Sequence, residues 1–207
     1  MSEPSLRLGV LASGRGSNFA AILDAIDAGD CDAEVAILVS DRPTAQALVR
    51  AAAHAIPTAV VRPADYPDRV QYDLQVVERL RAAGVQLVVL AGYMRIVTPT
   101  FLACFPGRVI NIHPALLPAF PGLHAQRQAL AYGVKVTGCT VHVVDEGVDS
   151  GPILLQRAVA VEEDDTEESL SARILVEEHK LYPEAIRRIA RGEILLDGRP
   201  RRAQEVG

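Results

Sequence analysis

The chain has no tryptophan, two methionines and only 4% aromatic residues among its 207 positions. That poverty argues against a base-stacking platform for single-stranded nucleic acid. An excess of basic charge is missing too: 21 Lys and Arg stand against 26 Asp and Glu, a formal net charge of −5. A duplex-coating protein usually carries a basic stripe, so no nucleic-acid partner is expected. The three cysteines, Cys31, Cys104 and Cys139, are far apart and form no CxxC pair. A zinc knuckle, a disulfide framework and a thioredoxin-like redox pair are therefore disfavoured, and reduced thiols in a cytoplasm are the simpler reading. No apolar run approaches 18 residues, and MSEPSLRLGV lacks a charged-then-apolar leader layout. Neither a membrane segment nor an export signal is expected.

What is present reads as one soluble α/β domain. Hydrophobic residues make up 49% and charged residues 23%, and a chain of this size buries roughly 70% of its extended surface. Short Val/Ile/Leu runs alternate with Ala-rich amphipathic stretches, without repeats or low-complexity linkers. Strands are expected at Leu6–Leu11, Val35–Val39, Ala59–Val61, Val85–Leu90, Val109–Ile112, Thr140–Val144 and Ile153–Ala160. Helices are expected at Asn18–Ala28, Thr44–Ala55, Arg69–Ala83, Ala125–Tyr132 and Thr166–Arg191. The alternation predicts a doubly wound, mostly parallel sheet with helices on both faces. No helix separates the Thr140 and Ile153 strands, so an antiparallel addition is expected there. The reading is one domain over 1–207, with a core at about 6–193. In the tail, 194–207, Arg199, Arg201 and Arg202 read as a solvated cluster.

Three polar constellations carry chemistry. The first strand runs into Ser13-Gly14-Arg15-Gly16-Ser17-Asn18. The spacing fits neither a dinucleotide fingerprint, which needs glycine at Phe19, nor a P-loop, which needs Lys at Arg15 and Ser or Thr at Gly16. A monophosphate site on a helix start remains, beside the plainer reading of a turn capped by Ser17 or Asn18. In Val109-Ile110-Asn111-Ile112-His113-Pro114, residues 111 and 113 share one strand face at the carboxyl end. An amide beside an imidazole suits an oxyanion developing on a carbonyl, and it also suits simple turn satisfaction. Pro114, Pro118 and Pro121 predict a stiff, extended segment after it. In the loop Asp145–Pro152, a carboxylate such as Asp149 could orient His113 or merely cap a turn. His113, His124 and His142 with Asp149 lack ligand spacing on one element, so no metal is expected.

Six separated stretches, in order over essentially the whole chain, resemble the folate-dependent glycinamide ribonucleotide formyltransferase family. They are Ser13–Asn18, Leu90–Ile96, Asn111–Pro118, Pro121–His124, Asp145–Pro152 and Glu178–Pro183. The resemblance implies a formyltransferase fold. It also implies direct transfer of the formyl group of 10-formyltetrahydrofolate, a co-substrate, to the amine of glycinamide ribonucleotide, without a metal. By the same resemblance Asn111, His113 and Asp149 are catalytic, with Gly16, Ser17 and Asn18 on the phosphate and Glu178 on the glycinamide end. Folate falls to Arg69, Met94, Arg95, Ile96 and Val97, with Asn111 near the formyl group. Two positions depart from the pattern: Ala119 stands where Lys or Arg often follows Leu-Leu-Pro, and Arg15 occupies a usually uncharged place. Methionyl-tRNA formyltransferases resemble this core but add a tRNA-binding domain for which the chain has no room. A formyltetrahydrofolate hydrolase, or a non-catalytic phosphate-ligand binder, is the alternative. The partners expected are the two small molecules, with the protein a monomer or homodimer.

Overall fold

The structure, a computed structural model, describes residues 5–196. Seven strands and six α-helices follow one another as β1 (Leu6–Leu11), α1 (Ser17–Asp27), β2 (Ala33–Ser40), α2 (Gln46–Ala53), β3 (Thr58–Val60), α3 (Arg69–Ala82), β4 (Leu87–Leu90), α4 (Pro99–Cys104), β5 (Val109–His113), α5 (Ala125–Tyr132), β6 (Val136–Val143), β7 (Ile153–Ala160) and α6 (Glu167–Ala190). A short 3₁₀ turn, Pro63–Asp65, precedes α3. One sheet takes the order β3-β2-β1-β4-β5-β6-β7. The first five strands run parallel, and β6 and β7 each pair antiparallel with the strand before.

Helices cover both faces, which is why β4 is apolar at every position. One face packs Leu8, Val10, Val89, Ile110 and Val141 against α1 and α6. The other packs Leu11, Val39, Val88 and Val109 against α3 and α4. Thr166 caps α6, its hydroxyl accepting from the Ser169 N–H, with Glu167 and Glu168 in the first turn.

The expected elements are present, and the differences have local causes. Helix α4 was not expected; Thr98 caps it and Pro99 opens it, a start signal attached to only six residues. Strand β6 begins at Val136 rather than Thr140, running through Gly138. A Cβ at Gly138 would lie 1.9 Å from the Arg157 carbonyl oxygen, so this glycine marks close strand packing rather than a break. The segment after Pro114 is folded into turns rather than extended, with Phe120 and His124 in left-handed backbone at φ 54 and 59. The arginines of the expected tail cluster, Arg199, Arg201 and Arg202, lie outside the described residues.

Candidate active site

The carboxyl ends of β4 and β5, where open α/β sheets place ligands, line a cleft of about 490 Å³. Strand β5 delivers Asn111 and His113 from one face into its lining, and the β6–β7 loop delivers Asp149. His113 is 4% exposed, and its Nδ1 lies 3.2 Å from Asp149 Oδ2. Its Nε2 donates to the Phe120 carbonyl oxygen at 2.8 Å. Both ring nitrogens thus face acceptors, an arrangement matched to the doubly protonated imidazolium. The turned segment after Pro114 makes this possible, because left-handed backbone at Phe120 brings its carbonyl back over β5.

The two loop carboxylates have separated roles. Asp145 Oδ1 accepts from the Gly147 N–H at 3.1 Å and the Ser150 hydroxyl at 2.9 Å, a turn cap. Asp149 faces inward and also accepts from the Gly122 N–H at 2.8 Å. Burial works against its charge. The hydrogen bond from His142, the Gly122 N–H and the nearby charges of His113 and His142 outweigh burial, and hold the carboxyl below the usual range.

His142 is the participant that spacing missed. Its ring, 2% exposed, places Nε2 3.4 Å from Asn111 Nδ2 and 3.5 Å from Asp149 Oδ1, with Nδ1 donating to the Val143 carbonyl oxygen at 3.0 Å. Cross-strand register puts it opposite Asn111, so only the β5–β6 pairing could have revealed it.

The loop after β4 forms a second wall. Met94, Arg95, Ile96 and Val97 all line the cleft, Met94 and Ile96 being 66% and 64% exposed and Val97 anchored in the core. Helix α3 braces this loop through residues on one helical face. Arg69 donates to the Ile96 carbonyl oxygen, the Tyr72 and Tyr93 hydroxyls meet at 2.5 Å, and Asp73 accepts from the Thr98 N–H at 2.7 Å. Arg69 therefore stands behind the wall, outside the lining, while Arg95 stacks 4.9 Å over Tyr72.

The anion-ready helix start lies beside the cleft. Ser13, which opens that loop, donates its N–H to the Gly92 carbonyl at 3.1 Å and accepts from the Met94 N–H at 2.9 Å. Gly16 is the N-cap of α1 with φ 66, and no side chain caps the helix. Neither Ser17 nor Asn18 caps it, so its first N–H groups are left for an anion. A Cβ on Gly16 would sit 2.8 Å from that of Ala47, so α2 packs against the turn. The Asn18 side chain is buried and reaches α6. Its Nδ2 donates to Glu178 Oε2 at 2.8 Å, and its Oδ1 is buried without a partner among the described residues. Burial pushes the Glu178 carboxyl up to about 7, partly offset by the Asn18 hydrogen bond.

Known proteins share this arrangement of chain. The sequence is 46% identical to phosphoribosylglycinamide formyltransferase of Bacillus subtilis, covering 88% of this chain and 94% of the relative. It is 44% identical to the trifunctional purine biosynthetic protein adenosine-3 of Drosophila pseudoobscura pseudoobscura, spanning all of this chain but 15% of that much longer protein. The crystal structure of glycinamide ribonucleotide transformylase 1 from Symbiobacterium toebii superposes with a TM-score of 0.93 at 54% identity, over 96% of this chain and 94% of that one. The formyl transferase family pattern matches residues 6–186, so the chain belongs to the formyl transferase family.

Proposed function

We propose that the protein transfers the formyl group of 10-formyltetrahydrofolate to the primary amine of 5′-phosphoribosylglycinamide, as a phosphoribosylglycinamide formyltransferase in purine biosynthesis. The observation that carries this reading is one cleft joining Asn111, His113 and Asp149, with an uncapped helix start beside it. The first set suits a tetrahedral oxyanion; the second suits a phosphate.

Gly16 and Ser17 hold the phosphate through the free N–H groups of α1, with Asn18 acting through Glu178 at the glycinamide end. The folate lies between the Met94–Val97 wall and the β5 end, where Met94, Ile96, Leu123 and Val148 offer apolar surface. The neutral amine attacks the formyl carbon, and the carbonyl oxygen becomes an oxyanion. Asn111 donates to it from Nδ2, and the His113 imidazolium places positive charge beside it, its Nε2–H exchanging the Phe120 carbonyl for the reacting group. Collapse returns the carbonyl and breaks the bond to the folate nitrogen. One proton leaves the amine and one reaches that nitrogen; the His113–Asp149 pair carries it with water. Holding both reactants in line supplies several kcal/mol of the barrier reduction.

The three described cysteines are free thiols, and no described helix is long and apolar enough to cross a membrane. We read the protein as cytoplasmic, a monomer or homodimer acting on small molecules.

The assay is tetrahydrofolate release with each substrate omitted in turn. Release should be slow with 10-formyltetrahydrofolate alone and rise by orders of magnitude with the ribonucleotide, the formyl group appearing on its amine. Rapid formate release indifferent to the ribonucleotide would replace the transferase with a hydrolase.

A further inference from the structure

Of the Glu178–Pro183 motif, the site described above uses Glu178 alone. One helical turn further on, Tyr182 is completely buried, yet its hydroxyl lies 3.0 Å from the Leu90 carbonyl oxygen and 3.1 Å from that of Ile110. A hydroxyl carries one proton, so the two carbonyls share it in a three-centre bond. Leu90 is the last residue of β4, and the wall Gly92–Val97 hangs directly from it. Ile110 immediately precedes Asn111, and the ladder pairs Leu90 with Asn111. The same helix reaches the phosphate loop through Glu178 and Asn18. Ser13 in turn ties that loop to Gly92 and Met94. Three stitches therefore tie together the phosphate loop, the wall after β4 and strand β5, and α6 supplies two of them.

We infer that Tyr182 is a positioning residue for formyl transfer: its hydroxyl sets the spacing between the folate wall after β4 and the Asn111 amide on β5. The inference rests on the formyl transfer proposed above. A polar group this deep in a core has to repay its desolvation, and Phe would fill the same space without that demand. The hydroxyl is thus present for what it holds. Burial first, and the Glu178 charge second, raise the phenol far above its ordinary range, so it remains a donor throughout the working range of pH. Each substrate keeps its own contacts when the stitch is cut. What is lost is the alignment between them, which is felt in the transition state.

The test is Tyr182→Phe, measured on natively folded protein well below its unfolding temperature. We expect kcat to fall about 10-fold to 100-fold, the scale of a misplacement near 1 Å. Calorimetric affinities for the ribonucleotide alone and for a non-reactive folate alone should change less than about threefold. A lower unfolding temperature with wild-type kcat per folded molecule would overturn the inference and leave Tyr182 a packing residue. If the Phe chain does not fold, 3-fluorotyrosine at 182 replaces it, a donor of nearly equal shape and greater acidity. Carbonyl ¹³C resonances of Leu90 and Ile110 must then move together with kcat; shifted resonances with constant kcat would refute the role. Wild-type enzyme and Asn111→Ala run alongside. Absence of transfer by wild type removes the proposed function, whereas normal controls with an unaffected Tyr182 variant remove only this inference.

Discussion

The parallel and antiparallel parts of the sheet contribute to the site by different means. In the parallel part, the end of β1 offers backbone: an uncapped helix start after Gly16, with Asn18 turned inward to Glu178. Where the sheet turns antiparallel, at the pairing of β5 with β6, these two strands and the loop before β7 offer side chains: Asn111, His113, His142 and Asp149, linked through contacts. A backbone anion site depends on conformation and tolerates change at its side chains. A side-chain cluster depends on atoms, and removing one leaves buried partners unsatisfied. Binding should therefore resist point substitution on the first side, and chemistry should be sensitive to it on the second.

The largest expected effect lies on the side-chain part. Asn111→Ala should lower kcat by about 10²–10³, the usual cost of an oxyanion donor, with little change in either KM. Steady-state kinetics with both substrates varied would check it; full kcat with a raised KM would move Asn111 from chemistry to binding.

Next comes Asp149→Asn, expected to reduce kcat about tenfold to a hundredfold, because the His113 imidazolium loses its counter-charge. Steady-state kinetics of the natively folded variant would measure the loss. The depressed carboxyl of Asp149 stays ionised until pH drops below the ordinary aspartate range. The stability it contributes is accordingly present above that range and lost as pH falls through its folded value. Wild-type kcat in the folded variant would reduce Asp149 to a turn residue.

Glu178 joins the two parts, and its signature is a pH-dependent stability. Its folded value of about 7, against 4.5 for the ordinary group, means that ionisation is disfavoured in the native state. Stability should be full below pH ~4.5 and fall, on the order of 3 kcal/mol, as pH rises to ~7. Glu178→Gln retains an acceptor for Asn18 but cannot ionise, so it should be more stable than wild type at pH 8 and lose this dependence. Urea unfolding at pH 5 and pH 8 measures the difference; equal wild-type stability at both, relative to the variant, would contradict it.

The smallest effect sharpens the contrast most. Ser17→Ala should raise KM for the ribonucleotide only a few-fold, since the phosphate is held mainly by N–H groups that the substitution leaves in place. A loss comparable to that of Asn111→Ala would show the phosphate loop to be a side-chain site after all.

Much of this was legible in the amino-acid order. Apolar runs without alternation marked β1 and β4, and the two-residue spacing of Asn111 and His113 placed both in the cleft. Short, strongly local signals translate directly into local structure. What stayed hidden depends on register and return of the chain. His142 enters the site only because β6 pairs with β5 at Asn111. Likewise, three prolines gave no hint that left-handed backbone at Phe120 would bring its carbonyl onto His113. Asn18 belongs to the phosphate loop by sequence, and nothing nearby foretells its hydrogen-bond partner on the last helix.

That last hydrogen bond joins residues 160 positions apart, and the distance is also a delay. At about 5–20 residues per second, Glu178 leaves the ribosome roughly 8–32 s after Asn18. Through that interval α1 and the β1 turn exist without the helix that secures them. The sheet face holding Leu8, Val10, Val89 and Ile110 likewise waits for Leu170, Ile174, Leu181 and Ile186. The emerging chain thus shows water an apolar surface that the finished protein never exposes, and it is then that it most needs protection from its neighbours.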